Sequence, residues 1–356
     1  PEGIPTNANN RHYFGVVGRQ IRIFSTPHLP REVVFGPHLN VGVAAWGADD
    51  HQITPGQPYD FAVVELDAAT LCSGYLQPGD DMTDNDDLSL PRSQQRGPTI
   101  RFQTAKANFA ADGGPGVGFA IGGQARLQSD TIGCLKREVP ATTPIVSLML
   151  DTNAIVNFEA RSSIVDVNVF HIADTNAQVA INVQSNSTLS LTSQHSSAGS
   201  VISSINSNIS GVSIQVLNPG SKIDVQSPSG PSHLLNIREL STLVNSTVQV
   251  LDGGELKIFS SSHNSIAVNL DAALLANCSF IFNGTTEAPA ALTIEAQQRA
   301  EFLGVFNPHT VLLDNFSTVI INSKVKIISR FNVAYLYHLS RPLYGALFSS
   351  HSRIHI

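Results

Sequence analysis

One seven-residue pattern, reading small, any, apolar, any, apolar, any, small, recurs along the chain at a nearly constant interval. A repeat of that kind limits the available folds more than any composition value does. It begins with Gly123-Gln-Ala-Arg-Leu-Gln-Ser129 and Ala154-Ile-Val-Asn-Phe-Glu-Ala160. It returns at Ser187 to Ser193, Ser221 to Ser227, Gly254 to Ser260, Ala290 to Ala296 and Ser323 to Ser329. The first apolar positions are Ala125, Val156, Leu189, Ile223, Leu256, Leu292 and Val325, spaced by 31 to 36 residues.

Apolar residues two apart describe a strand with one buried side. Small residues at both ends let the backbone turn a corner without collisions between side chains. Further short strands fall between the repeats, at Ile214 to Val216, Leu234 to Ile237, Thr247 to Val250, Ile266 to Leu270 and Ser279 to Phe282. Three short strands per repeat leave no length for a helix. The expectation is an all-β chain folded as a right-handed parallel β-helix of about seven coils with a period near 33 residues. Coils stacked at about 4.8 Å would make a rod roughly 34 Å long. A leucine-rich repeat is the rival, but its Leu-x-x-Leu-x-Leu-x-x-Asn consensus is missing.

This repeat pattern resembles the pectate-lyase-like parallel β-helix superfamily, which includes tailspikes, polysaccharide lyases and adhesin passenger domains. The resemblance spans residues 97–335 and is one of pattern, so it assigns no functional residue. Residues 1–96 do not follow the period and carry the only Trp, Trp46, which suggests an N-terminal β-rich cap or accessory region. Open solenoid ends expose strand edges and bare core, and residues 336–356 are expected to cover the other end as a C-terminal cap.

Composition narrows the function. Charged residues make up 14% and hydrophobic residues 42%, with a formal charge of −7, the opposite of a disordered chain. Nucleic acid is not an expected partner, because phosphate binding needs clustered Lys and Arg and no basic run occurs. No membrane span is expected either, since the uncharged stretch from Thr175 to Ser221 is interrupted throughout by Ser, Asn and Gln. Three cysteines, Cys72, Cys134 and Cys278, cannot complete a disulfide framework. A Cys72–Cys134 bridge would leave Cys278 as a small buried hydrophobe.

Alternate residues of the repeated strand should point outward and align from coil to coil. Gln124, Arg126 and Gln128 would lie on the first rung, followed by Ile155, Asn157 and Glu159. Later rungs place Lys222 beside Glu255 and Asp224 beside Lys257, two pairs of opposite charge that favour this register. The expected ligand-binding face comprises Arg126, Asn157, Glu159, Lys222, Asp224, Lys257 and Glu295. Glycoside cleavage would need two carboxylates, for which Asp224 and Glu255 are the catalytic candidates on this face. Each faces a lysine, an arrangement suited to an ion pair, and the even period leaves no long inter-coil loop to build a cleft.

In the loop from Asp80 to Asp87, Asp81, Thr83, Asn85 and Asp87 have the alternate spacing of a calcium loop. Asp86 stands where an EF-hand needs glycine, and Arg92 where it needs glutamate. The choice there is an irregular Ca²⁺ site or a solvated acidic loop. The glycines from Gly113 to Gly123 lack the Lys-Ser/Thr of a phosphate loop and read as turn glycines entering the solenoid. Sequons occur at Asn186, Asn208, Asn245, Asn277, Asn283 and Asn315. Asn245 and Asn277 lie at equivalent places in successive coils and Asn315 close to the same register, so stacking at a coil corner is preferred over glycan attachment.

The functional expectation is a secreted or surface-displayed rod, on a cell or virion, acting as an adhesin or a binder of glycans or a host-cell receptor. A polysaccharide-cleaving enzyme and a structural assembly component, including a homo-oligomer, are the alternatives.

Overall fold

The structure is a computed structural model. It describes residues 145–339 except 161–165, 174–175, 194–197, 272–273 and 308–311, together with separate strands in 13–121 and 347–355. The chain winds as an all-β, right-handed parallel β-helix with a period near 33 residues. Each coil visits three sheets in turn. In the second complete coil these strands are Asn176–Val183 on sheet 1, Thr188–Ser193 on sheet 2 and Gly199–Ile205 on sheet 3. Every strand pairs in parallel with its counterpart one coil away, as in Leu189↔Ile223 and Ile223↔Leu256.

The sequence pattern explains this winding. On sheet 2, Val156, Leu189, Ile223, Leu256 and Leu292 point inward and are buried, as do Phe158, Leu191, Val225, Ile258 and Ile294 two residues later. The small residues that bound each repeat sit inside the corners, where Ser187, Ser193, Ser221, Ser227 and Ser260 are fully buried. Their hydroxyls replace missing ladder bonds: Ser187 Oγ accepts from the Ala154 amide at 3.1 Å and Ser221 Oγ from the Asn186 amide at 3.1 Å. Cys278 is a free, buried thiol.

Asparagines line two corners. Asn245, Asn277 and Asn315 all adopt left-handed backbone, with φ of 53°, 52° and 46°. Asn277 Nδ2 donates to Asn245 Oδ1 at 3.3 Å, and Asn315 Nδ2 to Asn277 Oδ1 at 2.9 Å. The stacked-corner reading of these sequons therefore holds. At the corner into sheet 2, Asn186 donates to Asn153 at 2.7 Å, and Gly220 continues the column with φ of 81°. A side chain at Gly220 would collide with Asn186 Oδ1, so the asparagine column stops there.

Three expectations need correction. The solenoid has about five turns rather than seven. The Gly123 repeat does not supply the rung before Ala154–Ala160, because Lys106–Ala111 pairs there, with Ala107 opposite Val156 and Phe109 opposite Phe158. The interval from Ala107 to Val156 is 49 residues, so this coil is much longer than the period. Gly116–Ile121, expected as turn, is a strand of sheet 3 paired with Asp166–Ala173. Toward the N-terminus, Tyr13–Val17, Glu32–Phe35 and Asn40–Ala44 join sheets 2, 1 and 2. Toward the C-terminus, Ala334–Leu339 extends sheet 3, and Leu347–Phe348 and Arg353–His355 pair on sheet 1.

Candidate functional site

Two outer surfaces carry polar side chains in rows, and they differ in accessibility. On sheet 2 the burial alternates along most strands, so the outward residues other than Asp224 are half-exposed or exposed. Its rows follow from the register. The first contains Ile155, Thr188, Lys222, Glu255, Ala291 and Lys324. The second holds Asn157, Ser190, Asp224, Lys257, Thr293 and Lys326, and the third Glu159, Thr192, Gln226, Phe259, Glu295 and Ile328. Asn157, Glu159, Lys222, Asp224, Lys257 and Glu295 are thus brought onto one face, as the sequence implied. Arg126 lies outside the described residues, as do Asp81, Thr83, Asn85 and Asp87.

The expected rung pairs are in register, with Lys222 opposite Glu255 and Asp224 opposite Lys257. The contacts run the other way, along the strands. Lys222 Nζ lies 2.9 Å from Asp224 Oδ2, two residues on. Gln226 Nε2 donates to the same oxygen at 2.9 Å. Lys257 places its ammonium 5.8 Å from the centroid of the Phe259 ring. Glu295, by contrast, reaches the next coil, accepting from Arg330 Nη2 at 2.9 Å. In a strand, residues i and i+2 project on the same side, so Lys222, Gln226 and Lys257 reach their partners without crossing a rung.

Asp224 also departs from the expected exposure. It is only 8% exposed, although it points outward, and its second oxygen, Oδ1, is buried without a hydrogen-bond partner. The neighbouring half-exposed groups are Lys222, Gln226, Lys257 and Phe259. Gln226 and Phe259 stand at outward positions of the repeated strand but were not selected from the sequence. The signal that could have found Phe259 is its apolar character at an outward position of the repeat.

Sheet 3 is built differently. Val201 and Ile202, Leu234 and Leu235, and Ala267 and Val268 are consecutive residues that both face the core. The strand bends at these pairs, leaving one outward row at Ser200, His233, Ile266 and Glu301 and another at Ser203, Asn236, Asn269 and Gly304. A Cβ at Gly304 would lie 2.6 Å from Glu301 Oε2 and 3.0 Å from an Ile266 methyl, so the two rows converge. Their residues bury one another: Ser200, Ser203, His233, Asn236 and Asn269 are all buried. Asn269 Nδ2 donates to Asn236 Oδ1 at 2.8 Å, and Arg299 lies 2.8 Å from Glu301.

His233 is the titratable group that this seam perturbs most clearly. Burial pushes its imidazole down to about 4, against the partial compensation of its 3.1 Å hydrogen bond with the Ile266 carbonyl. The positive charge of Arg238, on the same strand, pushes in the same direction as burial. Cys278 shifts the other way, its thiol raised to about 11 chiefly by burial, which makes it a weak nucleophile. Among the described residues, no three His, Cys, Asp or Glu side chains are grouped to hold a metal ion.

Comparison of the chain with known protein families, with curated proteins and with solved structures found no match in any of the three.

Proposed function

We propose that this chain is a glycan- or receptor-binding rod, secreted or displayed on a cell or virion surface, and that the outer side of sheet 2 is its contact face. The observation that carries the reading is the set of straight rows of outward, mostly polar side chains, in register from Ile155 to Lys324. Parallel pairing spaces these groups at about 4.8 Å along the rod. A ligand with repeated hydroxyls can meet several such groups at once, and weak individual contacts then add through multivalency.

The same geometry favours binding over cleavage. Asp224 already uses one oxygen on Lys222 and Gln226, both at 2.9 Å, rather than facing a second carboxylate across a water. Immobilised-glycan binding should be measured beside release of reducing ends from the same polysaccharides. Binding without release is the expected result. Release that disappears in Asp224→Asn or Glu255→Gln replaces this reading with a hydrolase or lyase. Neither binding nor release leaves an assembly component.

A further inference from the structure

The inference rests on the glycan-binding reading and gives that face a centre. We propose that Asp224, Gln226 and Phe259 form a subsite for one uncharged, hydroxyl-bearing sugar ring, with the Lys257 side chain as its latch.

Asp224 supplies the polar anchor. Its Oδ2 is saturated by Lys222 and Gln226, both at 2.9 Å, while Oδ1 is buried with no donor. A buried acceptor without a donor is costly, and native proteins retain few of them. A sugar hydroxyl is a donor of the right kind. Phe259 supplies the stacking surface. It occupies the next rung beyond Gln226 and lies diagonally from Asp224, roughly 8 Å away by strand geometry. A ring with an apolar face and hydroxyl edges spans that distance, touching Phe259 with the face and Asp224 with an edge.

Charge selects the class of sugar. Asp224 is neutralised by Lys222, and Glu295 by Arg330, so the cluster has no strong net field to reward a charged ring. Lys257 controls access. It is the rung neighbour of Asp224, and its ammonium rests over the Phe259 ring at 5.8 Å. Such a contact is weak at a half-exposed site, so an arriving ring can displace it. That movement bares the aromatic face and opens the side chain's place beside Asp224 together.

The test is calorimetric titration of the whole chain with neutral tetrasaccharides of glucose, mannose and N-acetylglucosamine, beside tetragalacturonate as the acidic probe. A neutral probe should bind, with affinity falling at least tenfold in both Phe259→Ala and Asp224→Asn. Lys257→Met, which removes the charge and keeps the stem, should bind more tightly. Gln249→Ala, on the outer side of sheet 1, should behave as wild type. Melting curves report whether each variant is folded; if Asp224→Asn is not, half-exposed Phe259 decides the matter. Wild-type binding that survives Phe259→Ala overturns the subsite and leaves the glycan reading standing. A preference for tetragalacturonate overturns the ligand class, and weaker binding by Lys257→Met overturns the latch. No binding by any probe overturns subsite and glycan reading together.

Discussion

Sheets 2 and 3 are built from the same coils, yet their outward residues live in different environments. On sheet 2 a strict period of two leaves Lys222, Gln226, Lys257 and Phe259 half-exposed. On sheet 3 a pair of inward residues in each strand bends the backbone and folds the outward rows against each other. His233 and Asn236 end up as buried as core residues. Pointing away from the core therefore does not mean meeting solvent. Sheet 2 leaves polar and aromatic side chains open to solvent, while sheet 3 holds polar groups whose changes register as stability.

The largest expected effect tests what the two sheets share. Ile223 is fully buried on the inner side of sheet 2. Ile223→Asp would place an unpaired carboxylate in the core at a cost of several kcal/mol. Loss of the cooperative melting transition is the expected outcome, read by circular dichroism. A soluble variant with an unchanged melting temperature would contradict the inward register of this strand.

The next effect belongs to sheet 3. His233 has a folded pKa near 4 against about 6.5 when unfolded. The folded chain therefore binds its proton less readily than the unfolded chain. Stability should be full above pH 6.5 and fall as pH drops from there to about 4, by about 3 kcal/mol in total. Denaturant titration across that window should show the decline, and His233→Gln should flatten it. An identical slope in the variant would place the acid sensitivity elsewhere.

Corner asparagines come third. Asn277 donates to Asn245, accepts from Asn315 and adopts a φ of 52°. Asn277→Ala should cost about 1–2 kcal/mol, since alanine is disfavoured in left-handed backbone. Asn277→Gly, which relieves the backbone term, should recover part of that. Equal losses in the two variants would assign the effect to the lost hydrogen bonds alone. The smallest effect returns to sheet 2: Glu255→Gln should shift stability by less than about 0.5 kcal/mol, as expected of a half-exposed side chain. A larger loss would mean that Glu255 holds a rung together.

The contrast between the sheets also explains what the sequence could reveal. Sheet 2 was legible because its strands combine a period of two with small residues at both corners, as in Ser187 to Ser193. The column of Asn245, Asn277 and Asn315 was legible because three asparagines share a register. The bend of sheet 3 was hidden: Leu234-Leu-Asn-Ile237 reads as a plain apolar run, with nothing to show that two neighbours face inward. The rung at Lys106–Ala111 was missed although Ala105 to Ala111 fits the pattern, because Ala107 lies 49 residues before Val156 and so falls off the period. The Gly123 stretch imitated the pattern at almost the right interval. At the candidate site the rows were foreseen, but not the direction of the contacts. Lys222 has Asp224 within reach on its own strand and Glu255 on the next, and spacing alone does not choose between them.

The claim on which the rest depends is that the outer rows of sheet 2 run straight along stacked coils. Spin labels at positions 155 and 324, with Cys72, Cys134 and Cys278 replaced by alanine, would measure this by pulsed electron paramagnetic resonance. Ile155 and Lys324 are both exposed and lie in one row, linked through Thr188, Lys222, Glu255 and Ala291. Those five steps span roughly 24 Å at strand spacing. The expected result is a narrow distance distribution near that value, widened only by the label arms. A broad distribution, or one centred far beyond it, would contradict the stacked rows and the binding face built on them.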